Sequence, residues 1–69
     1  MCMEKFCTRL KELRLESKLS QSDLANRLRV NQRTVSNWEK GIREPNIDML
    51  IQIAQVFEVP TDYLLGVID

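Results

Sequence analysis

The sequence predicts an all-α domain of five short helices, and three observations support this fold class. Apolar residues recur three and four positions apart along most of the chain, which is the spacing of one buried helix face. Serine, asparagine and proline residues stand where such periodic segments begin, and glycines follow two of them. The 69 residues are close to the lower limit for a domain that folds without disulfides or metal, so we expect residues 1–69 to form a single domain.

The first helix is expected over residues 3–17. Phe6, Leu10 and Leu13 repeat at intervals of four and three, which predicts one buried stripe. Arg14 lies directly beside that stripe, whereas the neighbouring charged residues fall mainly on solvated faces.

The stretch from Ser20 to Gly41 predicts two helices joined by a tight turn. Ser20 and Asp23 have the spacing of a capping box, in which each side chain bonds the backbone N–H of the other. Apolar residues at helical spacing then predict the buried face of the second helix: Leu24, Ala25 and Leu28. Arg29-Val30 is expected to form the turn between the two helices.

The third helix is predicted to be polar on one face. Asn31 is a favourable N-cap, and Val35 and Trp38 are the only large apolar residues that follow it before Gly41. The remaining face carries amide, guanidinium and hydroxyl groups: Gln32, Arg33, Thr34, Ser36 and Asn37. Such groups can read base edges in the DNA major groove, although a polar helix face is more often simply solvated.

A fourth helix is predicted to begin after Asn46 and to close the core. Its expected buried stripe keeps a three-four rhythm: Ile47, Leu50, Ile51, Ala54 and Phe57. Three further apolar residues fall off that stripe and are expected to leave some apolar surface exposed: Met49, Ile53 and Val56. Pro60 is predicted to start a short fifth helix over residues 61–65 that ends at Gly66.

Charge is distributed unevenly along the chain, although the net charge is zero and the pI is about 6.2. All ten lysine and arginine residues lie at or before Arg43, where five acidic residues oppose them, so this part carries +5. Residues 44–69 carry five acidic side chains and no cation. Such a charge dipole would direct one end of the domain towards polyphosphate and the other away from it.

Several function classes find no support in the sequence. There is no histidine, and no grouping of nucleophile, base and orienting residue suggests an enzyme or a cofactor site. Cys2 and Cys7 cannot complete a tetrahedral zinc site by themselves, and we expect Cys7 to pack as a small apolar residue. No apolar run is long enough to span a bilayer, and charged residues interrupt any signal-peptide pattern, so a cytoplasmic location is expected.

Residues from both central helices occur in a familiar register: Ser20-Gln21, Leu24-Ala25, Val30, Val35-Ser36-Asn37-Trp38-Glu39, Gly41 and Pro45. This pattern resembles the Cro/repressor (Xre-like) family of bacterial and phage transcriptional regulators. The resemblance extends from about Leu10 to Gly66, and it implies a five-helix lambda-repressor-like domain with its helix-turn-helix at about residues 20–41. Arg29 departs from the family pattern, which usually has glycine there because that residue takes a left-handed conformation.

The resemblance also implies roles for individual residues. The positions that meet bases in the family are Gln32, Arg33, Thr34 and Asn37. The positions expected to contact phosphates are Gln21, Ser22, Asn31, Ser36, Lys40 and Arg43. Arg14 and Glu39 are expected to form a partly buried ion pair between the first and third helices. The candidates for a two-fold dimer contact are Tyr63, Leu64, Val67 and Ile68, with Leu64 or Leu65 alternatively completing the core.

We therefore expect a sequence-specific DNA-binding transcriptional regulator that acts as a repressor. It would bind double-stranded DNA as a homodimer on a pseudo-palindromic operator, with no cofactor and no evident small-molecule effector. The alternative is a protein-interaction module, such as an antitoxin-like or adaptor domain. That alternative draws on the acidic C-terminal part and on the spare apolar residues of the last two helices.

Overall fold

The computed structural model describes residues 4–68, and all regular structure in that range is helical. The helices are α1 (Glu4–Glu16), α2 (Gln21–Leu28), α3 (Gln32–Lys40), α4 (Ile47–Phe57) and α5 (Thr61–Leu65). The predicted five-helix, all-α architecture is therefore confirmed over the described residues. The expected helix start at Met3 lies outside them, as does Cys2.

Side-chain caps start the three central helices where the sequence predicts them. The Ser20 hydroxyl accepts from the Asp23 backbone N–H, and the Asp23 carboxylate accepts from the Ser20 backbone N–H, each at 3.0 Å. The Asn31 side chain accepts from the Thr34 N–H at 3.1 Å, and that of Asn46 accepts from the Met49 N–H at 2.8 Å. Each cap satisfies a backbone donor that the first helical turn leaves unpaired.

A left-handed residue follows each of the five helices in the described chain. Two of these residues are glycines, and the others are Lys18 (φ 59°), Arg29 (φ 59°) and Glu58 (φ 55°). The left-handed conformation expected at Arg29 is confirmed, and it explains how the short turn between α2 and α3 closes. A side chain in this conformation costs about 1 kcal/mol relative to glycine.

All five helices contribute apolar side chains to one core. The buried residues are Phe6, Leu10, Leu24, Ala25, Leu28, Val35, Trp38, Leu50, Ile53, Ala54 and Leu64. The faces predicted for α2 and α3 are confirmed. On α1, Leu13 is only half-buried, and Cys7 packs at the edge of the core as expected.

The stripe predicted for α4 is partly wrong. Leu50 and Ala54 are buried, but Ile47 is 75% exposed and Ile51 is 43% exposed. Ile53, predicted to fall off the stripe, is instead fully buried. The helix is therefore rotated relative to the prediction: it turns Leu50, Ile53 and Ala54 towards the core, and it packs against α2 and α5.

Helix α5 packs on α1 and α4 through Leu64, which is completely buried. Leu64 therefore completes the core, which is one of the two alternatives that the sequence left open for it. Its side chain has no accessible surface and so is not available for a dimer contact. The end of α5 also lies directly on α1. A Cβ atom added at Gly66 would come within 2.7 Å of the Lys5 Cβ atom, so this close approach requires glycine.

Candidate nucleic-acid interface

Helix α3 presents a polar surface because its two large apolar residues both face the core. Val35 is fully buried and Trp38 is 4% exposed, which turns the opposite side of the helix towards solvent. Gln32 and Arg33 in the first turn are exposed, and Asn37, one turn on, is half-buried. The leading end of α3 thus displays an amide and a guanidinium group in positions from which they can reach a ligand.

The cap at the start of α3 ties two predicted contact residues to each other. The side-chain carbonyl of Asn31 accepts from the Thr34 backbone N–H at 3.1 Å and from the Thr34 hydroxyl at 2.9 Å. This arrangement leaves the Asn31 NH₂ group and the Thr34 methyl group uncommitted by these two bonds. An amide donor suits a phosphate oxygen, and a methyl group suits the C5-methyl of thymine.

A buried ion pair holds the other end of α3 against α1. Arg14 Nε donates to Glu39 Oε2 at 2.6 Å and Arg14 Nη2 donates to Glu39 Oε1 at 3.1 Å, in the two-pronged geometry that is strongest for this pair. The two side chains are 10% and 5% exposed. Arg14 Nη1 also donates to the Leu19 carbonyl at 2.9 Å, which connects the pair to the segment before α2.

The first residues of α2 and α3 are hydrogen-bonded to each other, a contact that the sequence did not predict. Gln21 Nε2 donates to Glu39 Oε1 at 3.1 Å, and Gln32 Nε2 donates to Gln21 Oε1. Gln21 was expected only to contact phosphate. Each glutamine is the first residue of its helix, and the two are 11 positions apart in sequence. Their hydrogen bond therefore depends on how α2 and α3 cross and not on any local spacing.

Cationic side chains flank the exposed face of α3. Lys40 at the helix end and Arg43 in the following loop are both exposed, as expected for phosphate contacts. Arg43 lines a surface depression that also contains side chains of α3 and one carboxylate, from Glu44. The depression is formed by Thr34, Asn37, Trp38, Arg43 and Glu44. Glu44, which was not among the predicted contact residues, places a negative charge beside the cations on this surface.

The remaining predicted phosphate contacts lie at the N-terminal ends of the same two helices or on α3 itself. Ser22 is exposed in the first turn of α2, and Ser36 is half-buried on α3. Gln21, half-buried, begins α2, where unpaired N–H groups and the positive end of the helix dipole favour an anion.

The candidate dimer residues lie outside the helix-turn-helix, in α5 and the segment after it. Val67 is 69% exposed and Ile68 is 46% exposed, whereas Tyr63 is half-buried. Arg9 of α1 lies over the Tyr63 ring at 4.3 Å from its centroid. It also donates to the Tyr63 carbonyl and, at 2.6 Å, to the Ile68 carbonyl, so that α1 holds this segment in place.

Comparison with known proteins connects this geometry to a family. A helix-turn-helix family model (HTH_3) matches residues 10–64 of the chain. The transcriptional regulator ImmR of Bacillus subtilis is 38% identical over 58 residues, which are 84% of this chain and 46% of ImmR. The chain spans about half the length of the curated relatives it matches. None of the helices between residues 4 and 68 is long and apolar enough to cross a membrane.

Solved structures share the same helical arrangement. The P22 c2 repressor, crystallised with a synthetic operator, matches with a TM-score of 0.81 and 27% identity, over 86% of this chain and 89% of the repressor chain. HppE, which has also been solved with FeII and substrate, matches with a TM-score of 0.82 and 29% identity, over 93% of this chain but 36% of its own. The arrangement therefore occurs both nearly alone and as a part of a longer chain.

Proposed function

Because this chain belongs to the helix-turn-helix family, we propose that it is a sequence-specific DNA-binding transcriptional regulator that acts as a repressor. The observation that carries the proposal is the exposed polar face of α3, held at its far end by a buried ion pair. The likeness to a repressor crystallised with its operator supports the same assignment. We place the protein in the cytoplasm on the same grounds.

In this proposal α3 enters the major groove with its N-terminal turn foremost. Arg33 is assigned to guanine, since a guanidinium group can donate to both O6 and N7, and Gln32 is assigned to adenine. Thr34 would offer its methyl group to thymine, and Asn37 would contact a neighbouring base one helical turn further on. Each well-formed bidentate contact discriminates against the wrong base by about 1–3 kcal/mol.

Phosphate contacts would fix the position of the domain on the duplex. Lys40 and Arg43 supply cations at the C-terminal end of α3, and Gln21, Ser22, Asn31 and Ser36 supply neutral donors near the helix starts. Only cations that replace counterions contribute to the salt dependence of affinity, at a slope of roughly 0.9 per neutralised phosphate. Because the chain has no net charge, binding depends strongly on these specific contacts.

We assign the regulator a homodimeric form on a pseudo-palindromic operator, with half-sites about one helical turn apart. The apolar side chains available for a two-fold contact are those of Val67 and Ile68, together with the part of Tyr63 that remains accessible. Leu64 is excluded from this surface by its burial, and Leu65, at 39% exposure, lies beside it.

The proposal is tested by selecting duplexes from a random pool and measuring their affinity by fluorescence anisotropy against excess unrelated DNA. We expect one enriched sequence that survives the competitor and a steep salt dependence. The variant Gln32→Ala/Arg33→Ala should lose the preference for that sequence, whereas Gln52→Ala, which changes an exposed glutamine of α4, should keep it. Equal weak binding of every duplex would contradict the proposal.

The competing assignment is a protein-interaction module, and one observation favours it. Ile47 and Ile51 form an exposed apolar edge on α4, which a regulator that acts through α3 alone does not use. Under this assignment, the Gln32→Ala/Arg33→Ala variant would still bind the protein partner with full affinity, whereas Ile47→Ser/Ile51→Ser would no longer bind it. We assign the exposed face of α3 a binding role because the matched family is one of helix-turn-helix regulators.

A further inference from the structure

A chain of side-chain hydrogen bonds runs from the buried end of α3 to its exposed start. Glu39 Oε1 accepts from Arg14 Nη2 and from Gln21 Nε2, both at 3.1 Å. Gln21 Oε1 then accepts from Gln32 Nε2 at 2.5 Å. The chain begins at side chains that are 10% and 5% exposed and ends at an exposed amide assigned to base recognition.

The chemistry of the first link determines the direction of the others. A glutamine amide can rotate by half a turn and so exchange its donor and acceptor sides. The Glu39 carboxylate can only accept, so Gln21 must turn its NH₂ group towards it. The Gln21 carbonyl oxygen then faces Gln32 and can only accept, so Gln32 must turn its NH₂ group towards Gln21.

We propose that Glu39, held by Arg14, is a positioning residue for base recognition: through Gln21 it fixes the orientation of the Gln32 amide. The inference rests on the proposed function, because a fixed orientation of the Gln32 amide matters only if Gln32 contacts a base. It adds to that function a specificity role for a buried ion pair that has no contact of its own with the groove face.

The fixed orientation defines the base edge that Gln32 can bind. One N–H of the Gln32 amide is hydrogen-bonded to Gln21. The second N–H and the carbonyl oxygen remain available, and the NH₂ group lies on the Gln21 side. Adenine presents an acceptor, N7, beside a donor, N6–H, whereas guanine presents two acceptors there. An amide of fixed orientation can therefore bind adenine on one strand of the base pair but not on the other. We expect a preference for A·T over T·A of roughly 5- to 150-fold at that base pair.

Two variants remove the orientation at different points. Arg14→Met/Glu39→Met replaces the buried pair by apolar side chains of similar length, an exchange that is often neutral for stability. Gln21→Met leaves the ion pair intact and cuts the chain at its centre. Gln52→Met alters an exposed glutamine of α4 and is the matched control. Thermal unfolding of each variant establishes that it is folded before binding is measured.

The first measurement uses the free protein and does not depend on DNA binding. Order parameters of the glutamine side-chain NH₂ groups, from ¹⁵N relaxation, should be high for Gln32 in the unaltered chain. In both chain-breaking variants we expect the Gln32 value to fall below about 0.6, the range of flexible groups. A Gln32 amide as mobile as that of Gln52 in the unaltered protein would overturn the proposal.

The second measurement compares affinities for duplexes changed at one base pair at a time. The pair read by Gln32 is the one at which Gln32→Ala removes the preference. We expect both chain-breaking variants to reduce the preference there at least fivefold, roughly the lower end of one bidentate contact, and to keep preferences elsewhere. A preserved preference, or an equal weakening on every duplex, would overturn the positioning role. If the unaltered protein shows no preference for any duplex, the proposed function fails, and the amide order parameters still decide whether Glu39 holds Gln32.

Discussion

Helices α3 and α4 follow each other in the sequence, but they differ in how many apolar residues they contain and in what fraction of these is buried. Of the nine residues of α3, only Val35 and Trp38 are large and apolar, and both are buried. Of the eleven residues of α4, eight are apolar, and only Leu50, Ile53 and Ala54 are buried. A sparse apolar pattern allows one orientation towards the core, whereas a dense pattern allows several, among which neighbouring helices decide.

The two helices also differ in what holds them. The C-terminal end of α3 is joined to α1 by the Arg14–Glu39 ion pair, and only two side chains enter the core. Helix α4 is held by apolar packing and leaves Ile47 and Ile51 in contact with solvent. The polar helix therefore depends on directional interactions, the ion pair with α1 and the hydrogen bonds that Gln21 makes to Glu39 and Gln32, while its outer face remains exposed.

The largest effect is expected from breaking the ion pair on one side only. Arg14→Ala leaves the Glu39 carboxylate buried without its partner, which should lower the free energy of unfolding by about 3–5 kcal/mol. Replacing both residues by methionine should be close to neutral because no charge remains buried. Denaturant unfolding followed by the fluorescence of Trp38, the single tryptophan, measures both. Equal losses for the single and double variants would show that the pair itself, rather than the uncompensated charge, determines stability.

The orientation of α4 is tested by two isoleucines that are two positions apart. Ile53→Ala empties a fully buried site and should cost about 2–5 kcal/mol in unfolding free energy. Ile51→Ala removes a side chain that is 43% exposed, and its cost should lie below about 1 kcal/mol. Chemical denaturation of the two variants under one set of conditions makes the comparison. A larger loss for Ile51→Ala than for Ile53→Ala would contradict the observed orientation of α4 and support the buried stripe predicted from sequence.

Left-handed residues after α2 and α4 are expected to differ by a smaller amount. Glu58→Gly should stabilise the protein by about 1 kcal/mol, because it relieves the positive φ and removes a carboxylate from the negative end of α4. Arg29→Gly relieves the same strain but removes a cation that the end of α2 favours, so its gain should be smaller. Thermal unfolding measures both gains; a larger gain at Arg29 would contradict the account of the two helix ends.

The smallest effect concerns the capping box of α2. The hydrogen bond from the Ser20 backbone N–H, and then that with the Ser20 side chain, hold the pKa of Asp23 below its usual value of 3.8. A lowered folded pKa means that the carboxylate stabilises the protein above pH 3.8 and that this contribution is lost as pH falls through the folded value. The stability difference between the unaltered chain and Asp23→Asn should therefore be constant near neutrality and disappear in acid. A difference that grows in acid would have the wrong sign.

Local chemistry explains which features could be predicted from sequence. Ser20, Asn31 and Asn46 cap their own helices, so these features need only nearby residues. The left-handed conformation at Arg29 was expected through the family resemblance. The outward face of α3 was predictable because two apolar residues leave no other side for the core. The Arg14–Glu39 pair was expected only through the family resemblance.

Tertiary contacts explain what could not be predicted. The rotation of α4 depends on where α2 and α5 meet it, and the apolar residues of α4 alone fit more than one stripe. Tertiary packing also decided between the two alternatives for Leu64, the core and the dimer contact. The Gln21–Gln32 bond joins the starts of two crossing helices and was not predicted. Each of these contacts joins residues that no local spacing relates.

The central claim is that the polar face of α3, and not the apolar edge of α4, is the surface that meets the partner. The most direct measurement is NMR chemical-shift mapping of the ¹⁵N-labelled protein on addition of its selected duplex. We predict that the changes concentrate at Gln21, Gln32, Arg33, Asn37 and Arg43, with little change at Ile47 and Ile51. Changes confined to α4 and the residues after α5, with α3 unaffected, would contradict the account.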